Sequence, residues 1–269
     1  MFMPEMKIVD SYIHLPEHEL FDFCPKKRKY LICIPVINEG NRFLAQLDAM
    51  KRANVFSVAD LIICDGGSTD GSVTPDRLRE YGASALVVCK SPGQSNQLML
   101  GYYYALINGY EGTITVDGNG KDGVEGIFGM AQALDDGLDM VQGSRYLRER
   151  YAINTPMVRE LAIKYIHVPI INALSGFHYT DTTNGFRAHS IRVMQDMRIQ
   201  PFRYGDFPTY DLVQYLTVRV PRLGYRIKEI PVVRKYPAKG KTVTKISPFK
   251  GNLDLLRILW NIAVKKYDP

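Results

Sequence analysis

The hydrophobic pattern of the chain alternates between short apolar runs and stretches with helical spacing. Helices are predicted over residues 41–53, 75–81 and 94–108, and each lies between two short, mostly apolar runs typical of buried strands. These runs are Tyr30–Ile34, Asp60–Cys64, Ala85–Cys89 and Thr113–Val116. Because strands that alternate with helices form right-handed crossovers, the pattern predicts a mostly parallel sheet with helices on both faces, an α/β fold.

The second half of the chain continues the pattern less regularly. Strands are predicted over 139–142 and 225–233, and helices over 124–136, 156–175 (interrupted at Pro169), 189–196, 207–220 and 248–266. We find no internal repeat and no linker. The interpretation is one α/β domain over residues 1–247, followed by a C-terminal amphipathic helix over 248–269.

Acidic residues stand where the predicted strands end. Asp65 and Asp117 end two of them, and Glu39 lies just past a third. In an open α/β sheet, ligands bind beyond the carboxyl ends of the strands. Asp117 is followed by Gly-Asn-Gly, which suggests a hard divalent cation that shares its oxygen ligands with a phosphate. The alternative is that Asp65 and Asp117 only begin turns, where Asp and Gly are favoured.

The composition narrows the class of partner. The net charge of +6 and the pI of about 9.0 suit nucleotide phosphates, lipid phosphates or an anionic membrane surface. No nucleic-acid-binding motif is present, so no nucleic-acid partner is expected. The four cysteines lack CxxC spacing, which favours free thiols in the cytoplasm. No apolar run approaches the length of a membrane span, so any membrane contact is expected to be peripheral.

Five motifs in order resemble the family 2 glycosyltransferases of the GT-A fold. The resemblance covers residues 30–247 and is closest to the branch of dolichol- and polyprenyl-phosphate mannosyl and glucosyl synthases. The motifs are Pro35-x-x-Asn38-Glu39, Asp65-Gly-Gly-Ser-Thr-Asp-Gly71, Asp117-Gly-Asn119, Gly143-Ser-Arg-Tyr146 and Asp181-x-x-x-Gly185-Phe-Arg187. The resemblance implies a GT-A fold and a nucleotide-sugar donor such as a UDP- or GDP-sugar.

For the donor, the resemblance implies a set of binding residues at the strand ends. Asp117 and Asn119 take the two acidic positions of the DxD motif, which binds Mg2+ or Mn2+ across the donor diphosphate. Asn119 departs from the family, since an amide brings no charge. The residues implied to contact the nucleotide are Pro35, Asn38 and Glu39, with Asp65 at the nucleobase and Arg234, Lys241 and Lys245 in a flexible loop that closes over the donor. For that basic loop, a solvated hairpin tip is the alternative.

On the acceptor side, the resemblance implies that Arg145, Arg187 and, with a less clear alignment, Arg159 face an acceptor phosphate, and that Asp211 is near the position of a general base. Two of these residues have an alternative: Arg145 pairs with a surface carboxylate, and Asp211 lies on an exposed helix face. We interpret Asp122 as a helix N-cap rather than a metal ligand.

The expected function is metal-dependent, inverting transfer of a sugar from a nucleotide sugar, and the acceptor decides the chemistry. A lipid phosphate is already ionised and is held by arginines, whereas a sugar hydroxyl needs a carboxylate base such as Asp211 or, less well placed, Asp181. A polyprenyl phosphate is the favoured acceptor. The alternatives are a glycan hydroxyl, or a non-catalytic nucleotide- or glycan-binding domain, which Asn119 favours. The last helix either packs on the domain or lies in a membrane interface with Trp260 at headgroup depth.

Overall fold

A mixed sheet forms the centre of the protein. The structure, a computed structural model, describes residues 13–91, 93–238 and 250–269. Its strands are β1 His18–Asp22, β2 Tyr30–Val36, β3 Ala59–Asp65, β4 Ala85–Cys89, β5 Gly112–Thr115, β6 Met140–Ser144, β7 Ala152–Ile153, β8 Arg187–Ser190, β9 Ile227–Pro231 and β10 Arg234–Lys235.

Eight of these strands make one sheet in the order β1-β4-β3-β2-β5-β8-β6-β9. The predicted parallel block is confirmed: β2 pairs in parallel with β3 and β5, and β3 with β4. β9 also lies parallel to β6. A separate parallel pair, β7 with β10, joins the segment after β6 to the segment after β9.

Two antiparallel strands were not predicted. β1 pairs with β4 at one edge, and β8 lies between β5 and β6 and runs against both. The prediction of a helix over 189–196 is therefore wrong in its first part, since Arg187–Ser190 is a buried strand. A four-residue strand buried on both faces has no alternation of polar and apolar positions to reveal it.

The helices cover both faces of the sheet, as predicted. They are α1 Asn41–Arg52, α2 Pro75–Glu80, α3 Gln94–Ile107, α4 Gly126–Asp135, α5 Met157–Ala162, α6 Val168–Ser175, α7 Ile191–Gln195, α8 Asp211–Arg222 and α9 Lys250–Ala263. A π-helical turn, Ile163–His167, joins α5 to α6, and Pro169 stands in the first turn of α6. The predicted interruption is thus confirmed, because proline offers no N–H to the preceding turn.

The side chains of β2 divide between the two halves of the core. Leu31 and Cys33 pack with α3, α8 and α9, whereas Ile32 and Ile34 pack with α1 and α4. This follows from the alternation of successive side chains across a strand. The last helix, α9, belongs to the first half, with Ile258 and Ile262 buried in it.

Since β8 reverses direction, β5 and β6 point the same way as β2, β3 and β9. The loops that follow these strands therefore meet at one edge of the sheet, and the candidate site is built there.

Candidate active site

Asp117 lies two residues beyond β5, at the carboxyl edge of the sheet. Its Oδ2 accepts from Arg234 Nη2 at 2.9 Å and its Oδ1 from Gln94 Nε2 at 3.2 Å. The backbone of Gly185 approaches so closely that any side chain there would collide with this carboxylate. Burial alone favours protonated Asp117, but the charges of Arg234 and Lys121 outweigh it and hold the pKa below its usual value.

Arg234 also binds Asp122. Its Nη1 lies 2.8 Å from both carboxylate oxygens of Asp122 and 3.0 Å from Asn184 Oδ1. Asp122 is buried, and α4 begins only at Gly126. The interpretation of Asp122 as a helix N-cap is therefore wrong. The backbone bridge between residues 122 and 234 holds the two side chains together instead.

The residues around Asp117 fit a divalent cation only in part. Asp117 and the amide oxygen of Asn119, which accepts from the Lys121 N–H at 3.2 Å, are oxygen ligands of the right kind. Mg2+ commonly binds one or two carboxylates and takes its other ligands from phosphates and water. Across the described part of the chain, no cluster of three His, Cys, Asp or Glu side chains could hold a metal. The fit therefore requires oxygen atoms from a ligand.

The loops after β2 and β3 are tied to each other. Asn38, in a left-handed conformation with φ 48°, accepts from the Thr69 N–H at 2.8 Å, and Asp70 Oδ2 accepts from the Gly40 N–H at 2.8 Å. The Glu39 carboxylate lies 2.8 Å from Arg42 Nη2. These contacts shape the loops that the resemblance assigns to the nucleotide.

Asp65 is engaged in its own turn. Its carboxylate accepts from the N–H of Gly67 and from both the N–H and the hydroxyl of Ser68, at 2.5–3.1 Å. The turn-forming alternative therefore describes Asp65 in this structure. Pro35 lies within β2, opposite Cys64 of β3.

Two glutamines that the sequence reading did not single out support this edge of the sheet. Gln97 Nε2 donates to the carbonyls of Val36 and Cys64, both at 2.7 Å, and so joins the ends of β2 and β3. Gln94, one turn earlier on α3, reaches Asp117. Both lie in α3, which was predicted from its apolar positions, and that pattern does not indicate a role for either glutamine.

Tyr236 stands at the centre of a basic cluster. Its hydroxyl lies 3.0 Å from Arg159 Nη1 and 3.3 Å from Arg145 Nη1, and Lys121 Nζ is 5.2 Å from the ring centre. Burial opposes ionisation, but Arg234, Arg145 and Arg159 together lower the pKa of Tyr236 to about 8. Tyr236 therefore links Asp117, through Arg234 and Lys121, to Arg145 and Arg159, two of the three arginines predicted for the acceptor. Its position within a basic segment was the only sequence signal for it.

Arg145 is buried and paired with Asp181. Arg145 Nε lies 2.7 Å from Asp181 Oδ2, and Nη2 lies 3.2 Å from Oδ1. Burial favours the neutral guanidine, yet the Asp181 carboxylate outweighs it and raises the pKa of Arg145. The alternative of a carboxylate partner is thus realised, although the partner is buried rather than on the surface. One nitrogen, Nη1, points to Tyr236.

Arg187 is buried, and its side chain donates to groups inside the protein. Strand β8 directs it against α8, where it donates to the Val213 carbonyl and the Thr217 hydroxyl at 2.6 Å and to the Thr182 carbonyl at 3.0 Å. The prediction that Arg187 faces the acceptor phosphate is therefore wrong, because its donors are used to join the sheet to α8.

Asp211 is also buried, at the start of α8. Its Oδ1 accepts from the Tyr267 hydroxyl at 2.5 Å, and its Oδ2 accepts from the N–H and the hydroxyl of Thr209 at 2.9 Å. The prediction of Asp211 as a general base is wrong for this arrangement, and so is the alternative of an exposed helix face. The carboxylate instead holds the chain end against α8. Lys241 and Lys245 lie outside the described residues.

A cavity of about 760 Å³ opens beside Arg145. The segment 145–152 forms one wall, and α6 with the preceding π turn forms another. Its lining combines three basic side chains and one acidic one with the apolar surfaces of Val168 and Pro169: Arg148, Arg150 and Lys164 are basic, and Glu149 is acidic. Such a lining suits a ligand with both an anionic group and an apolar part.

The helical segment beside the cavity exposes a run of large apolar side chains. Their exposed fractions range from 48% to 80%, and they are Met157, Val158, Leu161, Tyr165 and Ile166. Trp260 on α9 is exposed as well. In the parts of the chain that the structure covers, no helix combines the length and apolar character of a bilayer span.

Comparisons with known proteins found sequence relatives and solved structures of similar fold. The chain is 23% identical over 214 residues to the polyprenol monophosphomannose synthase of Mycolicibacterium smegmatis, covering 76% of this chain and 77% of the relative. It is 23% identical over 207 residues to the undecaprenyl-phosphate mannosyltransferase of Micrococcus luteus, covering 76% and 82%. No protein-family model matches the chain.

Among solved structures, the chain is similar to glucosyl-3-phosphoglycerate synthase of Mycobacterium tuberculosis in complex with Mn2+, UDP and glucosyl-3-phosphoglycerate. The TM-score is 0.60 at 17% identity, over 89% of this chain and 78% of that one. The same enzyme with Mg2+ and UDP matches with a TM-score of 0.62 at 17% identity, over 87% and 79%.

These similarities confirm the predicted GT-A fold. They also confirm the resemblance to the polyprenyl-phosphate branch of the family 2 glycosyltransferases and, at the level of the class, the prediction of a glycosyltransferase. The predicted cofactors, Mg2+ or Mn2+, are those of the neighbouring structures.

Proposed function

We propose that the protein transfers a sugar, with inversion and with the help of Mg2+ or Mn2+, from a nucleotide sugar to a lipid phosphate at a membrane surface. The observation that carries the proposal is the cavity beside Arg145, in which basic and apolar side chains meet. Two sequence relatives named for polyprenyl-phosphate substrates support the acceptor, and a structural neighbour with UDP supports the donor.

The cavity is connected to Asp117 by direct contacts. Arg145 lines the cavity and reaches the Tyr236 hydroxyl, and the Tyr236 ring lies beside Lys121 and Arg234, the partner of Asp117. A donor diphosphate at Asp117 and an acceptor phosphate in the cavity would therefore lie on opposite sides of one basic cluster. Two reacting groups need this proximity for direct transfer.

The chemistry then needs few protein groups. An oxygen of the acceptor phosphate attacks the anomeric carbon, its new bond to that carbon forms as the bond to the nucleoside diphosphate breaks, and the configuration inverts. Because the acceptor is ionised at neutral pH, no proton has to be removed. Arg148, Arg150 and Lys164 hold the acceptor phosphate by charge-assisted hydrogen bonds. Asp117 and Asn119 would hold the cation, which supplies positive charge for the leaving diphosphate.

The exposed apolar side chains beside the cavity give the lipid a place to lie. A helix with such a face binds the headgroup boundary of a bilayer, and basic residues strengthen its binding to anionic lipid. We assign the membrane contact to this segment, Met157–Ile166. Trp260 on α9 is a second, separate point of contact.

Transfer to a glycan hydroxyl is the alternative reaction. It requires a carboxylate within hydrogen-bond reach of the hydroxyl. The two carboxylates suggested for this role, Asp211 and Asp181, are buried and already hydrogen-bonded, which favours the phosphate acceptor. A non-catalytic domain that binds nucleotide or glycan is a third possibility, and the uncharged Asn119 is the residue that favours it.

The test is a transfer assay with radiolabelled UDP-, GDP- and dTDP-sugars, Mn2+ and vesicles that contain undecaprenyl phosphate. We expect a labelled lipid product that is lost on chelation of the metal. Lys164→Ala should raise the acceptor KM at least tenfold more than the donor KM. Label that appears only in added oligosaccharide supports the hydroxyl acceptor, and nucleotide binding without turnover of any donor supports the non-catalytic domain.

Membrane contact is tested on the same vesicles by co-sedimentation. Val158→Glu should reduce binding, since it puts a charge at the centre of the exposed apolar run. Ile107→Glu is the matched control, because Ile107 is exposed by 54% at the end of α3. Equal sedimentation of the two variants would reject this face as the membrane contact.

A further inference from the structure

Arg234 contacts the Asp117 carboxylate, the group proposed to hold the cation. Arg234 is 4% exposed, and its guanidinium bridges two carboxylates, with Nη2 at 2.9 Å from Asp117 and Nη1 at 2.8 Å from Asp122. The chain thus already supplies a positive charge to the carboxylate that the resemblance assigns to the metal.

The backbone keeps Arg234 there. The Arg234 N–H donates to the Tyr151 carbonyl at 2.9 Å, and the Lys235 N–H donates to the Lys121 carbonyl at 2.7 Å. These bonds join β10 to β7 and to the loop that carries Asp117. The guanidinium therefore cannot leave the site without a change in its side-chain conformation.

Two positive charges already act on the two carboxylates of the site. Asp117 and Asp122 are negative, whereas Arg234 and Lys121, which both act on Asp117, are positive. A divalent cation added alone would bring two more positive charges next to a buried guanidinium, and like charges at close range in a buried site repel strongly. A nucleoside diphosphate that binds together with the cation brings negative charge, which offsets the charge of the cation, and supplies it with further oxygen ligands.

We propose that, because of Arg234, the divalent cation binds at Asp117 only together with a nucleoside diphosphate. Without nucleotide, the Asp117–Arg234 pair excludes the cation. With nucleotide, the cation and the diphosphate bind together, and Arg234 contacts the diphosphate. This inference rests on the proposed function for the identity of the anionic ligand. The exclusion of the bare cation by Arg234 does not rest on the proposed function.

The experiment measures Mn2+ binding directly, from the loss of the free-Mn2+ electron paramagnetic resonance signal, with and without UDP or GDP. The wild-type protein should bind Mn2+ weakly alone and about 10- to 100-fold more tightly with the nucleotide that it accepts, a usual range for coupled sites. Arg234→Gln should bind Mn2+ alone at least tenfold more tightly than the wild type. Arg234→Lys, which keeps the charge, should keep the coupling.

Two controls make the result specific. Arg192→Gln removes an arginine that pairs with buried Asp139, Nη2 to Oδ1 at 2.6 Å, outside the site, and should leave Mn2+ binding unchanged. The double variant Arg234→Gln/Asp122→Asn also removes the buried Asp122 carboxylate, which Arg234→Gln alone leaves without its ion-pair partner. It therefore provides a folded protein if the single variant Arg234→Gln unfolds. It should still bind bare Mn2+ more tightly than the wild type.

The outcomes separate the two proposals. Wild-type protein that binds bare Mn2+ as tightly as the Arg234→Gln variants overturns the role of Arg234. Tighter binding of bare Mn2+ by those variants, with no effect of any nucleotide on any protein, supports exclusion of the cation by Arg234 and refutes the donor site of the proposed function.

Discussion

Replacing Asp181 with asparagine should destabilise the protein strongly, because it leaves Arg145 as an unpaired buried charge. The two side chains are 0% and 1% exposed. The Asp181 carboxylate accepts from Arg145 Nε, Nη2 and backbone N–H and from the N–H and hydroxyl of Thr183, at 2.7–3.3 Å. Asparagine keeps one oxygen and no charge, so it cannot replace this set.

The magnitude follows from the burial of the pair. Removing one partner of a buried ion pair costs ~3–5 kcal/mol. For a chain of this size, each kcal/mol lowers the melting temperature by ~2–4 °C. Asp181→Asn should therefore melt roughly 6–20 °C below the wild type, measured by circular dichroism on heating. Arg79→Met is the control: both side chains of its pair with Asp76 are exposed, and loss of such a pair costs ~1 kcal/mol or less.

The double variant Arg145→Met/Asp181→Leu separates packing from function. With both charges gone and similar volume kept, most of the lost stability should return. If Arg145 also holds the acceptor, this stable variant will still have a raised acceptor KM and an unchanged donor KM. A melting temperature of Asp181→Asn within 2 °C of the wild type would refute the buried pair, and a normal acceptor KM in the double variant would limit Arg145 to a structural role.

Three further predictions address single groups. Asp117→Ala should abolish metal-dependent hydrolysis and transfer of the donor, and retained activity would exclude Asp117 from the donor site. The Tyr236 phenol should titrate near pH 8 in ultraviolet difference spectra, and Tyr236→Phe should remove this transition. The pKa of Tyr236 in the folded protein lies below the ordinary value of 10.0, so ionised Tyr236 adds ~2–3 kcal/mol to the stability. This contribution is complete above pH 10 and is lost as the pH falls through 8. If the difference in stability between Tyr236→Phe and the wild type does not change over this pH range, the pKa shift is contradicted. Tyr267→Phe leaves Asp211 and its bonds from Thr209 in place but removes the bond from the Tyr267 hydroxyl. It should therefore lower stability by ~1–3 kcal/mol and leave kcat unchanged well below melting, and a large fall in kcat would support Asp211 as a catalytic group.

The arrangement of the parallel block could be predicted from the sequence because its signals are local. The continuous apolar run Tyr30–Ile34 lies within one buried strand, and the position of Asp117 after a strand depends on a few neighbouring residues. Right-handed crossovers then bring the strand ends to one edge without further information. The resemblance added the family and the expected ligands, but its assignments rested on sequence position alone.

The state of each charged group was decided only by the tertiary structure. Arg187 is buried because β8 enters the sheet antiparallel and faces α8, and Asp211 is buried because the segment after α9 returns to it through Tyr267. Arg234 meets Asp117 across more than a hundred residues of sequence. Whether a carboxylate binds a metal, accepts a proton as a general base or pairs with an arginine depends on its burial and on the nearest charged group. Both are set by contacts between distant segments, which no local pattern of residues contains.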